Sequence, residues 1–394
     1  MVNDINFCNN TFNINNYEIS NQKRGEEGLK IKKIILPLIL LTIVFFSGCS
    51  DYVQLHQKLI IQAIGVDHEE GKYSITVQAL DFKNLEEKDK PTIKVLELEG
   101  LTVMEALGNI STQTGLKPLY SQNLMLIIGK PTAEEGINKL VDFFIHHYEM
   151  RPNVTVCLST DKASDILKLE SNGKVLEAKN IFDMINKDMK SDMIHFVGNI
   201  QNGVSDPYIP LLRIEKGAKN SKIVSDTIAV FKNDTLSYTL DKDLSQGLLL
   251  VNGVSNPGVC VVKDLENFGD TAFELGEIKT KIDVKIKDNY PEYFINIKAK
   301  ANTFEIDKNL FNGNPEEIKK VLEKKLAEKL KEISQQTILE CVRNKSDVFG
   351  FGQKLLNKNP NYFRPISNSW KDMIKNYEFH VNVQAEISDI GIFS

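Results

Sequence analysis

The 394-residue chain has little of what most site chemistry requires. Its five cysteines (Cys8, Cys49, Cys157, Cys260 and Cys341) are widely and irregularly spaced, with no Cys-x-x-Cys pair. That excludes the common zinc and redox motifs. With Cys8 and Cys49 set aside, three thiols remain, an odd number that cannot form a full disulfide framework. Cys157 and Cys260 lie in apolar runs and read as buried free thiols. The one histidine pair, His146-His147, would point about 100° apart on a helix, so it makes no metal face. There is no Gly-x-Ser-x-Gly elbow. Gly350-Phe351-Gly352 lacks the third glycine and the Lys-Ser/Thr of a phosphate loop, and Gly129-Lys130-Pro131 lacks the rest of one. Nothing pairs two carboxylates for acid–base work. No catalytic residue, metal or cofactor is expected. A basic excess is also missing: the formal net charge is −5, and 43 basic residues stand against 49 acidic ones after residue 48. Nucleic-acid binding by phosphate neutralisation is therefore not expected.

What is present begins with an export signal. Lys30-Ile31-Lys32-Lys33 precedes an uncharged run over 34–46, then Ser47-Gly48-Cys49. A basic start, a short apolar stretch and small residues before a cut make a secretory signal. The 13-residue run would reach about 20 Å as a helix, short of the ~30 Å hydrocarbon core. Cysteine directly after Ser-Gly resembles a bacterial lipobox, with Phe46 where leucine is usual. The expectation is cleavage between Gly48 and Cys49 and a diacylglycerol on Cys49. Two acyl chains hold where one does not, at ~0.8 kcal/mol per buried CH₂. The alternative is an uncleaved N-terminal anchor helix. Residues 1–28 fit neither reading, because 1–21 are Asn-rich and polar without amphipathic pattern. Gly25-Glu26-Glu27-Gly28 has codons that can contain a ribosome-binding sequence. The expected start is therefore Leu29, read as Met from a TTG or CTG codon, with 1–28 untranslated and 29–48 the signal.

After Cys49 the pattern alternates between strands and helices. Strands are predicted at 59–66 and 73–82 around a turn at 67–71, and again at 92–98 after a charged loop. Thr102 caps a helix to Thr114, with Gly115 as its stop. A strand follows at 123–128. Thr132-Ala-Glu-Glu135 reads as a capping box opening a helix to about Tyr148. Further elements are a strand at 154–158, helices at 162–169 and about 175–190, and a Gly/Asn/Pro/Ser-rich linker or excursion at 199–210. Strands follow at 228–231 and 236–240, then a helix capped by Asp243, and strands at 258–262, 277–286 and 293–304. The longest helix covers about 315–343, with Ile318, Leu322, Leu326, Leu330 and Ile333 on one face. Short helices near 347–356 and Trp370 precede a closing strand at 377–387. Hairpins separated by helices indicate an α+β fold with mixed or antiparallel sheets. The domains are expected at 49–198, 199–270 and 271–394.

Ser346-Asp347-Val348-Phe349-Gly350-Phe351-Gly352 stands out by joining two aromatics and two glycines after the long helix. It reads either as a loop that plugs aromatics into the core or as a partner-contact loop. Phe363 and Trp370 downstream read more as core than surface.

With these residues in place, the chain from Cys49 onward resembles the Ger(x)C family, the lipoprotein C subunits of spore germinant receptors. The resemblance rests on the order of its motifs. Leu59-Ile-Ile-Gln-Ala-Ile-Gly-Val-Asp67 and Tyr73-Ser-Ile-Thr-Val-Gln78 match the opening hairpin. Glu105-Ala106, Leu124-Met-Leu-Ile-Ile-Gly129, Gly136 and the stretch from Asp142-Phe-Phe to Arg151-Pro152 follow. Then come Ile228-Ala-Val-Phe-Lys232, Gln246-Gly-Leu-Leu-Leu250 and the 346–352 segment with Phe363 and Trp370. Ser50, where the family often has tryptophan, departs from the pattern, as does the middle near 195–210. The resemblance implies a three-domain α+β ectodomain, lipid-anchored on the outer face of the spore inner membrane. It also implies two integral membrane partners (the A and B subunits), a response to small nutrients and no catalysis. Two other readings stay open. A solute-binding lipoprotein of an importer would need two doubly wound lobes, and an exported hydrolase would need a polar cleft of converging titratable groups.

Mass spectrometry of the membrane-extracted protein should find Cys49 as the first residue, carrying a diacylglycerol. Cys49→Ala should leave the chain without that modification. An N-terminus at Met1 in the mature protein would overturn both expectations.

Overall fold

The alternation of apolar and polar residues in the first hairpin sets one face of a large sheet, and the rest of the fold is laid on that face and its reverse. The computed structural model describes residues 57–82, 91–146, 150–171, 173–185, 187–217, 221–265, 268–303 and 314–389. The expected signal, Gly48 and Cys49 lie outside the described residues, as do Tyr148 and Phe304. No helix among the described residues is long and apolar enough to cross a membrane.

Strands β1 (Lys58–Glu69) and β2 (Lys72–Asp81) form an antiparallel hairpin. Its turn is only Glu70-Gly71, both with positive φ, the pairing that matches strand twist in a two-residue loop. Strand β3 (Thr92–Gly100) adds to β2. Helix α1 (Val103–Thr114) is capped as expected, with the Thr102 hydroxyl accepting from Glu105 N and Gly115 in the left-handed region. Strand β4 (Lys117–Leu119) pairs parallel with the start of β1, and β5 (Met125–Gly129) pairs parallel with its second half.

The helix expected from Thr132 is two helices, α2 (Lys130–Glu135) and α3 (Asn138–His146). Gly136 at φ 115° breaks the run, and Ile137 N donates to Asp234 O instead. Thr132 is not the cap: its hydroxyl accepts from His68 N at 2.8 Å. Strand β6 (Thr155–Ser159) follows, parallel to β5. Then come α4 (Ala163–Leu167), the short pair β7 (Glu170–Ser171) and β8 (Lys174–Val175), α5 (Ala178–Met184) and α6 (Met193–Asn202).

The expected linker at 199–210 is ordered. It is the end of α6, the left-handed cap Gly203, a turn in which Asn202 Oδ1 accepts from Val204 N and Ser205 N, and the entry to β9 (Tyr208–Lys216). Gly, Asn and Ser here are helix-stop and turn chemistry. β9 runs parallel to β6, and β10 (Ser221–Lys232) and β11 (Thr235–Leu240) complete the sheet. Its order is β11-β10-β9-β6-β5-β1-β2-β3, with β4 beside β1. Strands on both sides of residue 199 thus share one sheet.

Helix α7 (Lys242–Val251) is capped by Asp241, which accepts from Leu244 N at 2.9 Å, rather than by Asp243. A second sheet has the order β12 (Gly258–Leu265), β13 (Gly269–Lys287), β14 (Tyr290–Asn302), then a last strand. β13 and β14 turn on Asp288-Asn289, both at positive φ. The 29-residue α8 (Pro315–Arg343) spans about 43 Å. It is followed by α9 (Phe351–Lys358), α10 (Pro360–Ile366) and α11 (Trp370–Met373). The closing strand β15 (Glu378–Asp389) lies parallel to β14, a return that requires a helical crossover. The fold is α+β.

One core lies under α1, α3 and α6, and a smaller one under α4 and α5 on the sheet's reverse. The third joins the second sheet, α7 and α8. Strand β10 serves two of them: Ala229 and Phe231 enter the first, Ile228 and Val230 the third. That is the two-residue period of a strand covered on both faces. The five apolar residues predicted along α8 are all buried. α7 meets α8 at Gly247, where a Cβ would stand 2.1 Å from Thr337 Oγ1 and 2.9 Å from Ile333 O.

Gly247→Ala should therefore lower unfolding free energy by about 1–3 kcal/mol in urea titrations. Gly108→Ala in α1, with nothing within 4 Å of the added carbon, should be neutral or stabilising by up to ~1 kcal/mol.

Candidate functional site

The 346–352 segment begins where α8 stops. Lys345 turns left-handed, and Ser346 N closes on Cys341 O at 2.9 Å. That turn drives Asp347 into the interior, where it is fully buried. Its carboxylate accepts from Phe351 N at 2.9 Å and Gly352 N at 2.8 Å. It therefore caps α9 from outside the helix, at the end where the helix dipole favours an anion. Gly350, at φ 71°, is the swivel that lets the chain double back over Asp347. The helix predicted over 347–356 consequently starts later, at Phe351.

Asp206 arrives from the turn between α6 and β9. Its backbone N donates to Asp347 O at 2.8 Å, and its Oδ2 accepts from Asp347 N at 2.9 Å. Its Oδ1 is 2.6 Å from Lys371 Nζ on α11. Asp206 is 2 % exposed. Three segments remote in sequence thus share two carboxylates and one ammonium. Asn252, after α7, adds a fourth, donating to Tyr208 Oη at 3.0 Å and Val348 O at 3.1 Å.

The aromatics pack around this polar knot. Phe351 meets Phe349, Tyr293 and Phe379 at ring distances of 5.1, 4.8 and 5.0 Å. Trp370 meets Phe363 and Tyr377 at 5.5 and 5.6 Å. Such pairs contribute ~0.5–1.5 kcal/mol beyond their buried area. Tyr293 Oη donates to Phe351 O at 3.2 Å. Gly352 lies against the indole: a Cβ there would be 2.6 Å from Trp370 Nε1.

Burial pushes the Asp347 carboxyl up to about 6, against the pull of the Gly352 and Phe351 amides. The Asp206 carboxylate raises it further, and the Lys371 ammonium lowers it. The junction sets two aspartates against one lysine. Asp347, Phe349, Phe351, Gly352 and Trp370 are buried, and Gly350 is half-buried. The segment is a clasp, and its side chains present no surface to a ligand. Asp206, Lys371, Asn252 and Tyr293 carry no sequence signal that ties them to residue 347.

Cys157, Cys260 and Cys341 are free and buried, and burial raises all three thiols, Cys260 to about 11 and Cys341 to about 12. No group of three or more metal-ligating side chains occurs among the described residues. A cleft of about 710 Å³ between α5, β10 and α7 includes Asp183, Asp226 and Gln246. Asp183 is paired with Lys179 and Lys187, and Asp226 with Arg213.

The raised carboxyl fixes the sign of a pH effect. A folded-state value above the unfolded one gives stability that is complete below about 4 and lost as pH rises through about 6. In Asp347→Asn that contribution vanishes. The advantage of the parent over the variant should be larger at pH 4.5 than at pH 7, by on the order of 2 kcal/mol. Thermal unfolding followed by emission of Trp370, the only tryptophan, would measure it. An advantage that grows toward pH 7 would contradict the assignment.

Comparison with known proteins agrees with this architecture. Residues 51–214 match the family described as spore germination protein N-terminal domain. Residues 226–391 match spore germination B3/GerAC like, C-terminal. The chain is 22% identical over 378 residues to the putative spore germination protein YfkR of Bacillus subtilis (strain 168), covering 92% of this chain and 97% of the relative. It is 24% identical over 394 residues to spore germination protein KC of the same organism, covering 90% and 94%. The crystal structure of the GerBC protein superposes with a TM-score of 0.56 at 20% identity, over 82% of this chain and 96% of the other. Asp206 falls in the first matched region, Asp347 and Lys371 in the second, so the clasp ties the two together. The chain belongs to the GerAC-type spore germination protein family.

Proposed function

We propose that this protein is the lipid-anchored C subunit of a spore germinant receptor. Diacylglycerol on Cys49 tethers it to the outer face of the spore inner membrane, where it works by protein–protein contact with integral membrane A and B subunits. It performs no catalysis. The observation that carries this reading is the ordered match of both family regions, which together run from residue 51 to 391. The basic, apolar and small-residue succession ending at Cys49 supports the tether.

On this reading the folded part acts as one piece. The Asp206–Asp347 exchange and the double-faced strand β10 bind both family regions into a single unit. A partner pulling on one region pulls on the other, which suits a subunit that transmits a contact.

Deletion of the gene should slow germination with at least one nutrient, and the wild-type gene should restore it. Affinity purification of the tagged protein from detergent-solubilised spores should recover two multi-span membrane proteins. Recovery of an ATP-binding cassette protein in their place would favour the importer and overturn the proposal.

A further inference from the structure

We propose that the end of the first sheet where β1 begins lies against an anionic lipid surface. The inference rests on the anchoring of Cys49. Lys58 opens β1, Lys117 opens β4, and the two are direct neighbours in the parallel ladder. Like charges side by side on adjacent strands repel. Among the described residues neither has an ion-pair partner. Arg151 is exposed and likewise unpaired, and it precedes β6. It sits at the same end, because β1, β5 and β6 are parallel.

The acids near this end do not compensate. Asp81, opposite Leu59, is paired with Lys94. Residues 83–90, between β2 and β3 in sequence, contain three lysines and three acids. Asp192, bridged to Thr155, is paired with His195. Among the described residues, three cations at this end therefore lack an ion-pair partner, in a chain whose residues after 48 are acidic in sum. At the far end of the same strands the balance reverses: Glu69, Glu70, Glu99, Glu134, Glu135 and Asp161 outnumber Lys72, Lys130 and Lys162.

Chain length brings the cationic end to the bilayer. Eight residues lie between Cys49 and Lys58, a span of at most ~30 Å when extended. A tether of that length lets the start of β1 reach the zone where the anionic leaflet attracts Lys and Arg, with the far end a strand length further out. Attraction decays over about 8 Å at physiological salt, so it operates only if this end approaches closely. The like-charged pair, costly in water, is relieved there by phosphate headgroups.

The test uses the full lipidated chain in vesicles doped with a headgroup spin-labelled lipid. A fluorophore is placed through Asn153→Cys at the cationic end, or through Lys72→Cys at the far end. The three cysteines of the described residues are buried. In phosphatidylcholine vesicles with a minority of phosphatidylglycerol, the label at 153 should be quenched and the label at 72 should not. Quenching should fall in pure phosphatidylcholine and in high salt. The triple variant Lys58→Gln, Lys117→Gln, Arg151→Gln should weaken the close-approach equilibrium about tenfold or more, with its thermal unfolding in solution no lower than the parent's. Equal quenching at both ends, or no dependence on the anionic lipid, in a chain shown by mass spectrometry to carry the diacylglycerol, overturns this inference and leaves the anchor standing. A chain without lipid on Cys49 overturns both.

Discussion

The architecture turns on one exchange of hydrogen bonds between two aspartates 141 residues apart. Asp206 and Asp347 each use the backbone of the other. The Asp206 carboxylate also pairs with Lys371, and the Asp347 carboxylate, free of that exchange, caps α9. Both carboxylates are buried, and a buried carboxylate is tolerated only when nearly all its lone pairs are met. Every segment that meets them is therefore held to one geometry. The left-handed turn at Gly350, the bare Cα face of Gly352 against Trp370 and the left-handed Lys345 are consequences of bringing amides to that anion. The aromatic packing of Phe349, Phe351, Tyr293 and Phe379 closes around it.

The same logic explains why the two family regions do not behave as beads on a string. Matched residues 226–391 begin inside β10, a strand of the first sheet whose two faces belong to two cores. Separating the regions would expose Ile228 and Val230 and leave the Asp206–Lys371 pair in water. A fully buried aliphatic side chain contributes about 1.5–3 kcal/mol, so opening that junction carries a substantial cost before any polar group is counted. Rigid coupling follows from burial rather than from a covalent link, since the cysteines of the described residues are free.

Much of the local structure was legible from residue order because it depends on nearest neighbours. Thr102 with Glu105, Gly115, the Glu70-Gly71 turn and the apolar stripe of α8 each state their conformation within a few positions. The misreadings share a cause. Thr132 looks like a cap until Gly136 adopts a backbone that a helix cannot use and His68 claims the hydroxyl. Asp241 and Asp243 are equivalent by composition, and only the helix geometry selects the first. The Gly/Asn-rich residues near 203 resemble a linker because helix stops and linkers draw on the same residues. The parallel pairing of β1, β5, β6 and β9 left no mark, because partners in such a sheet are set by crossovers.

The sequence by itself determined the α+β alternation and singled out the unusual segment at 346–352 with Trp370 downstream. These are properties of contiguous residues, or of motif order, and need no third dimension. Tertiary structure alone decided what that segment does. Asp347 acquires its raised carboxyl, its partner Asp206 and its distance from solvent only when residues 206, 347 and 371 are folded into one site. Charge and burial there are long-range quantities, and so is the adjacency of Lys58 and Lys117 across two strands.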